Sequence, residues 1–537
     1  MLCGCTSNKN ASSSQNDVSS KVQSQVTSDV TKDDKDNKEK YISIACSITD
    51  SFCPYNALTR LNREISTLLY DSLVVVDSSF TPQNSLAEKI KIKGTTVTVT
   101  LKTTFFTDGT NLTADDVVYC ANRAMESGTR YEDALKDVSS VSAETGGIVV
   151  FKLKKKDPFF ANQLDFPIYK KNSDKKISSD NIQIPPIGSG RYVINKDKTA
   201  LIANENFHNG APRLKKINLI NTPDEDALLH NMEVGNINYY YSNLSDCELP
   251  SVRGGYKRVN LNNLVFLGAN MHGGIMLHNE MRQVVSAAID RDAISNEAYY
   301  QNAISANGIF NPNWKENIAA AAINETTSLE NIYVALLEEI GYNKKDNRGY
   351  YVNSDKERLT VKLVYYKGNV WRSRCAELIK SQLKIAGIKV NLEALSWKDY
   401  KNSLKNGYYD LYLAEVRLGN NMDISELVTK GGSLSYGIDY GENSSKDSSS
   451  EAASSKQDET EDKKEEVKDY AGATAKAVKK FYEGKAELTD VVTAFSNELP
   501  IIPVCYRTGI VSHDSGISGV MPCISDVYYS IENTTIK

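Results

Sequence analysis

Glu415 and Arg417 stand two residues apart in the run Leu411-Tyr412-Leu413-Ala414-Glu415-Val416-Arg417. Alternate residues of a strand share a face, so a carboxylate and a guanidinium project together. Such a pair can line a cleft and engage the charged ends of a polar solute. It can equally be satisfied internally, pairing with itself or with neighbours and holding the strand. Covalent chemistry has no comparable signal: there is no Gly-x-Ser-x-Gly elbow, His-Glu-x-x-His, Walker A loop or Gly-x-Gly-x-x-Gly. Gly188-Ser189-Gly190 is too short to cradle a phosphate. The nine cysteines contain no Cys-x-x-Cys pair, and the five histidines add no zinc spacing. Cys46 and Cys53 are near enough in sequence to bridge, and free thiols fit as well. No enzyme, metal or cofactor is therefore expected.

A chain of 537 residues exceeds the size at which one core keeps growing, so two or three lobes are expected. Lys and Arg number 63 against 68 Asp and Glu, a net charge of −5 without a dense basic tract, which argues against a nucleic-acid partner. No apolar run reaches the roughly 18 residues of a membrane span.

The elements that must position these groups read clearly around Thr96 to Met125. Val97, Val99 and Leu101 alternate with threonines, a half-buried strand. Asp108-Gly109 supplies a tight turn. Thr113 then caps a helix, with Asp116 at the capping-box position and Val117, Val118, Ala121 and Met125 at helical spacing. A helix from Trp371 to Ala386, stopped by Gly387, lies between strands Leu359–Tyr365 and Ile388–Leu392, which implies a parallel crossover.

The run "TVTLKTTFFTDGTNLTADDVVYCANRA" resembles the signature segment of family 5 extracellular solute-binding proteins of bacterial ABC importers. Further likenesses are "LLYDSL" (68–73), Leu86-Ala87-Glu88, "IPPIGSGRYVI" from Ile184, "MRQVVSAAIDRDAI" (281–294) and "ELPIIPVCYRTGIV". The resemblance covers about residues 41–537. It implies an α/β fold: two lobes of the periplasmic-binding-protein-like, class II type, joined by two chain crossings, with an extra domain inserted in the first lobe. The expected organisation is a lipobox remnant at 1–5 and a disordered polar tether at 6–40. Lobe I is expected at 41–73, 184–264 and 501–537, with the inserted domain at 74–183. Lobe II is expected at 265–500, carrying a low-complexity insertion at 441–469. Leu2-Cys3-Gly4-Cys5 resembles a lipobox, with Cys5 as the lipidated residue.

The resemblance also implies site residues. Peptide carriers of the family hold the ligand's amino terminus with an Asp. Aligned on Asp410, that position here is Gly419, and Val416 stands at the motif's Trp. A buried ammonium needs a paired charge, and Gly supplies none. Trp397 matches a cleft-side Trp, with a core Trp as the alternative. Trp371 and Arg372 fall where relatives contact the far end of the ligand. Asn56 lies in the loop Phe52–Ala57, which resembles a segment presenting backbone groups to the ligand. The implied protein is a monomer anchored by lipid on the outer face of the cytoplasmic membrane. It would capture a peptide by hinge closure and deliver it to the ABC permease subunits. A non-peptide solute (an oligosaccharide or metal chelate), a lipid-anchored sensory or adhesive role, and a surface hydrolase remain the alternatives.

Overall fold

The computed structural model describes residues 41–179, 183–245, 254–317, 335, 337–440 and 471–537. The lipobox, the tether and the 441–469 insertion lie outside the described residues.

Strand Ile42–Cys46 pairs in parallel with Lys216–Asn221, which continues antiparallel to Ala200–Ala203 and Tyr192–Ile194. Helix Arg60–Leu69 buries Ile65, Leu68 and Leu69, and Thr59 caps it by accepting from the Asn62 amide. Within 74–183 a separate antiparallel sheet runs in the order Ala87–Lys93, Thr96–Leu101, Ile148–Leu153, Val138–Glu144. Val97, Val99 and Leu101 are buried there. Helix Ala114–Ala124 packs on this sheet through Val117, Cys120, Ala121 and Ala124. Its cap is the expected one: Asp116 Oδ2 accepts from the Thr113 amide at 2.9 Å and from its hydroxyl at 2.6 Å. Gly109 adopts φ +81, the positive region its turn requires.

A seven-stranded mixed sheet gathers strands from Gly254 onward, with Tyr239–Ser242 at one edge. Strands Leu411–Arg417, Thr360–Tyr366 and Lys389–Leu395 are parallel, the last two linked by helix Val370–Ile385 with Gly387 at φ +84 beyond its end.

Two long strands join the lobes. Gly254–Ala269 and Ile501–Asp514 pair antiparallel from Gly254↔Asp514 to Gly268↔Ile501. Tyr239–Ser242 pairs with the Asp514 end, whereas Leu411–Arg417 pairs with residues 263–269 at the other end. The ladder slips between Asn260 and Asn263, which leaves Leu261 and Asn262 out of register. Such a bulge frees side chains and main chain for other partners, and here it meets the loop after Arg417.

Candidate functional site

Glu415 projects from strand Leu411–Arg417 into the protein, 7% exposed. Val265 and Cys505 are its neighbours in register across the two long strands. Its Oε1 accepts from Arg507 Nη1 at 2.8 Å and from Asn263 Nδ2 at 2.9 Å, and its Oε2 from Arg372 Nη2 at 3.3 Å. Burial opposes the charge, but Arg507 and Arg372 outweigh it and hold the carboxyl below its ordinary value. Arg507 Nη2 also donates to the Asn243 carbonyl at 2.6 Å. The network therefore ties the returning strand, the bulged strand and helix Val370–Ile385 together.

This placement shows what surrounds each of the expected site residues. Glu415 is spent on internal partners and does not pair with Arg417. Arg372 is buried in the same network. Trp371 is 3% exposed and stacks on Tyr299 at 5.6 Å, so it is committed to the core. Trp397 is half-buried against Tyr366 at 5.3 Å and Tyr400 at 5.9 Å, with Lys401 over its ring. Asn56 is exposed, but its amide is engaged: it accepts from Arg123 Nη2 at 3.0 Å and donates to Gln183 at 3.1 Å. Cys46 and Cys53 are buried free thiols; burial pushes Cys46 up to about 12.

Gly419 lies in the loop held by the bulge. Asn262 accepts from the Leu418 amide at 2.8 Å, and its side chain donates to the Gly419 carbonyl at 2.8 Å. A Cβ on Gly419 would stand 2.9 Å from Gln163 Nε2 and 2.7 Å from Asn421 Oδ1. The glycine thus permits residues 157–165 to dock. Asn162 donates to the Asn420 carbonyl at 2.9 Å, Asn420 to Asp165 at 3.2 Å, and Asn421 to Asp157 at 2.7 Å. Lys155 bridges Asp423 at 2.7 Å and Asp137 at 3.2 Å. Phe159 closes the bridge, its ring 4.9 Å from Trp314 and 6.0 Å from Phe481. Burial pushes Asp157 and Asp165 each up to about 6.

Arg417 stays exposed. Among the described residues it makes no ion pair or hydrogen bond, yet it lies within electrostatic reach of Asp165 and Tyr241. Asp165 also faces Arg130, whose Nη1 is 4.0 Å from Glu64 and whose Nη2 donates to Tyr131 at 2.6 Å. Electrostatic reach thus links Glu64 to Arg130, and Asp165 to both Arg130 and Arg417. Sequence reasoning found Arg417 and missed the other three, as well as Arg507. Arg507 did leave a signal, as the one charge within the apolar run Ile501 to Val511, where a buried charge demands a partner. Glu64, Arg130 and Asp165 lie far apart in sequence and left none. Among the described residues no cluster of His, Cys, Asp or Glu is placed to hold a metal ion, and no helix is long and apolar enough to cross a membrane.

Residues 81–429 match the family model for bacterial extracellular solute-binding proteins, family 5, middle region. The oligopeptide-binding protein AppA of Bacillus subtilis (strain 168) is 27% identical over 363 residues, which is 62% of this chain and 65% of that protein. The chain thus covers slightly less than two thirds of that relative's length. Among solved structures, a nickel ABC transporter protein of Bacillus halodurans superposes with a TM-score of 0.69 at 18% identity, over 93% of this chain and 100% of that one. The substrate-binding protein CtaP of Listeria monocytogenes does so with a TM-score of 0.65 at 19% identity, over 93% and 100%. At these identities the two structures establish a shared two-lobed fold.

Proposed function

The chain belongs to the family 5 bacterial extracellular solute-binding proteins, and we propose that it captures a peptide outside the cytoplasmic membrane and delivers it to the permease of an ABC importer. The observation that carries this reading is Arg417, whose exposed side chain makes no ion pair among the described residues, so that a ligand carboxylate can bind there. AppA, described as oligopeptide-binding, supports the peptide class. The two long strands and their bulge give the lobes a hinge, and closure around the ligand would create the surface the permease reads. The protein acts by binding alone. In this reading residues 41–73, 184–264 and 501–537 form the first lobe, 74–183 its inserted domain and 265–500 the second lobe. Lipid on Cys5 and the 6–40 tether would hold the monomer at the outer face of the membrane.

A metal chelate is the second reading, because Arg417 suits any carboxylate and the Bacillus halodurans structure is described as a nickel transporter protein. Native mass spectrometry of the full chain, purified without denaturant, separates the two. Co-purified peptides establish the first; a single metal-containing non-peptide mass establishes the second. A chain that arrives empty and ignores a peptide library in thermal-shift assays refutes the peptide reading.

A further inference from the structure

The antiparallel sheet within residues 74–183 has two unlike faces. Its strands lie in the order Ala87–Lys93, Thr96–Leu101, Ile148–Leu153, Val138–Glu144. Val97, Val99, Val149 and Phe151 are buried on the face that helix Ala114–Ala124 covers. Alternate residues project from the opposite face, and the register sets them in rows across the sheet. Lys93 and Lys152 flank Thr96 in one row, Lys91 stands beside Thr98 in the next, and Lys89 beside Thr100 in the third. Glu144, at the far corner beside Ile148, is the one carboxylate in these rows. All four lysines are exposed. Their stems rise from a patch of about 10 by 14 Å, given the spacing of residues along and between strands.

These lysines lack counter-charges. Two lysines nearby in sequence do pair, Lys136 with Glu426 at 2.9 Å and Lys155 with Asp423 at 2.7 Å. Among the described residues none of the four on this face meets a carboxylate, and Lys152 donates instead to the Thr96 hydroxyl at 2.9 Å. Lysine on an edge strand discourages edge-to-edge pairing, and Ala87–Lys93 is an edge. That explanation does not reach Lys152, which stands on the interior strand Ile148–Leu153. Like charges gathered without partners repel one another, and an external anion relieves the repulsion. The chain as a whole carries a net charge of −5, so the patch runs against the charge of the molecule.

The face also limits what kind of anion fits. It exposes no large apolar side chain. Protein interfaces centre on buried aromatic and apolar groups and are poor in lysine. Single-stranded nucleic acid needs aromatic platforms for its bases. Ammonium and hydroxyl groups spread over a flat sheet suit a plane of phosphates. Resting on the placement at the outer face of the membrane proposed above, we infer that this lysine face docks on the anionic phosphates of lipid headgroups. Docking there gives the protein one orientation on the bilayer.

The test uses the full chain carrying Cys5→Ser, so that no attached lipid contributes. Binding is read by co-sedimentation with phosphatidylcholine vesicles, either plain or containing about one third phosphatidylglycerol. The chain should bind the anionic vesicles only, and raising salt from about 0.05 M to about 0.5 M should release it. The variant Lys89→Gln/Lys91→Gln/Lys93→Gln/Lys152→Gln should bind at least about a hundredfold more weakly, each lysine beside a charged bilayer being worth roughly fivefold. A control, Lys367→Gln/Lys384→Gln/Lys398→Gln/Lys405→Gln, removes four exposed lysines elsewhere and should bind like the parent. Equal losses in the two variants overturn the inference, since net charge alone then explains binding. A parent chain that ignores anionic vesicles overturns it without any variant and leaves the peptide reading standing. A parent that binds inorganic polyphosphate but no vesicle overturns the lipid assignment in favour of a soluble polyanion.

Discussion

The Glu415 carboxylate and the Arg507 guanidinium meet at 2.8 Å although 92 residues separate them. One lies on a strand of the second lobe, the other on the strand that returns to the first. The contact ties strand Leu411–Arg417 to strand Ile501–Asp514. Arg417, two residues on, is exposed and makes no side-chain ion pair among the described residues.

Removing the carboxylate while keeping its shape should destabilise the protein. Glu415→Gln leaves Arg372 and Arg507 buried without their counter-charge, a loss of about 3–5 kcal/mol. Urea unfolding should show a lower midpoint with an unchanged slope. The same group predicts acid sensitivity. Its folded pKa lies below the ordinary value, so its contribution is present above about 4.3 and is lost as pH falls through the lower folded value. A Glu415→Gln midpoint equal to that of the wild type at pH 7 would show that the network is dispensable.

Arg417→Ala should behave in the opposite way. The side chain is exposed and makes no internal bond, so thermal stability should move by less than about 0.5 kcal/mol. Affinity for the co-purified ligand should fall by about ten- to a hundredfold, the worth of a charge-assisted carboxylate contact. Calorimetry that finds unchanged affinity would remove Arg417 from the site.

Asp157 carries a pH signature of opposite sign to Glu415. Burial pushes it up to about 6 against the donors Asn421 and Phe159. A raised folded pKa contributes stability that is present below the unfolded value of about 3.9 and is lost as pH rises through about 6. Asp157→Asn should therefore flatten the melting-temperature profile between about pH 4 and 6. A variant curve parallel to the wild type across that window would contradict the assignment.

Gly419→Asp should harm the protein. The new Cβ meets Gln163 Nε2 at 2.9 Å and Asn421 Oδ1 at 2.7 Å, so both side chains must shift, and Asn421 is the one that donates to Asp157. Overpacking of this kind costs about 1–3 kcal/mol. Small-angle scattering should show a larger radius of gyration for the ligand-free variant, and its ligand affinity should drop. If the variant instead binds ligand more tightly, the loop serves the ligand and not the bridge.

Local rules carried the capped helix after Asp108-Gly109, the crossover helix ending at Gly387 and the period-two strand at Val97 to Leu101. Each depends on neighbours within a few residues, where side-chain spacing and backbone sterics decide the outcome. The family and its two-lobed architecture were legible for the same reason, as a long ungapped run of such local choices.

The charges were a different matter. Glu415 and Arg417 share a strand, and their spacing puts both on one face. It could not say that one would find Arg372, Arg507 and Asn263 while the other would find none. Nor could it place Asp165 within electrostatic reach of Arg130 and Arg417, because that follows only after separate elements have packed. Sequence by itself determined the local elements and the family's fold class, since backbone propensity and apolar period act locally. The tertiary structure alone decided which charges are spent and which are free, since Coulomb partnership depends on distance in space.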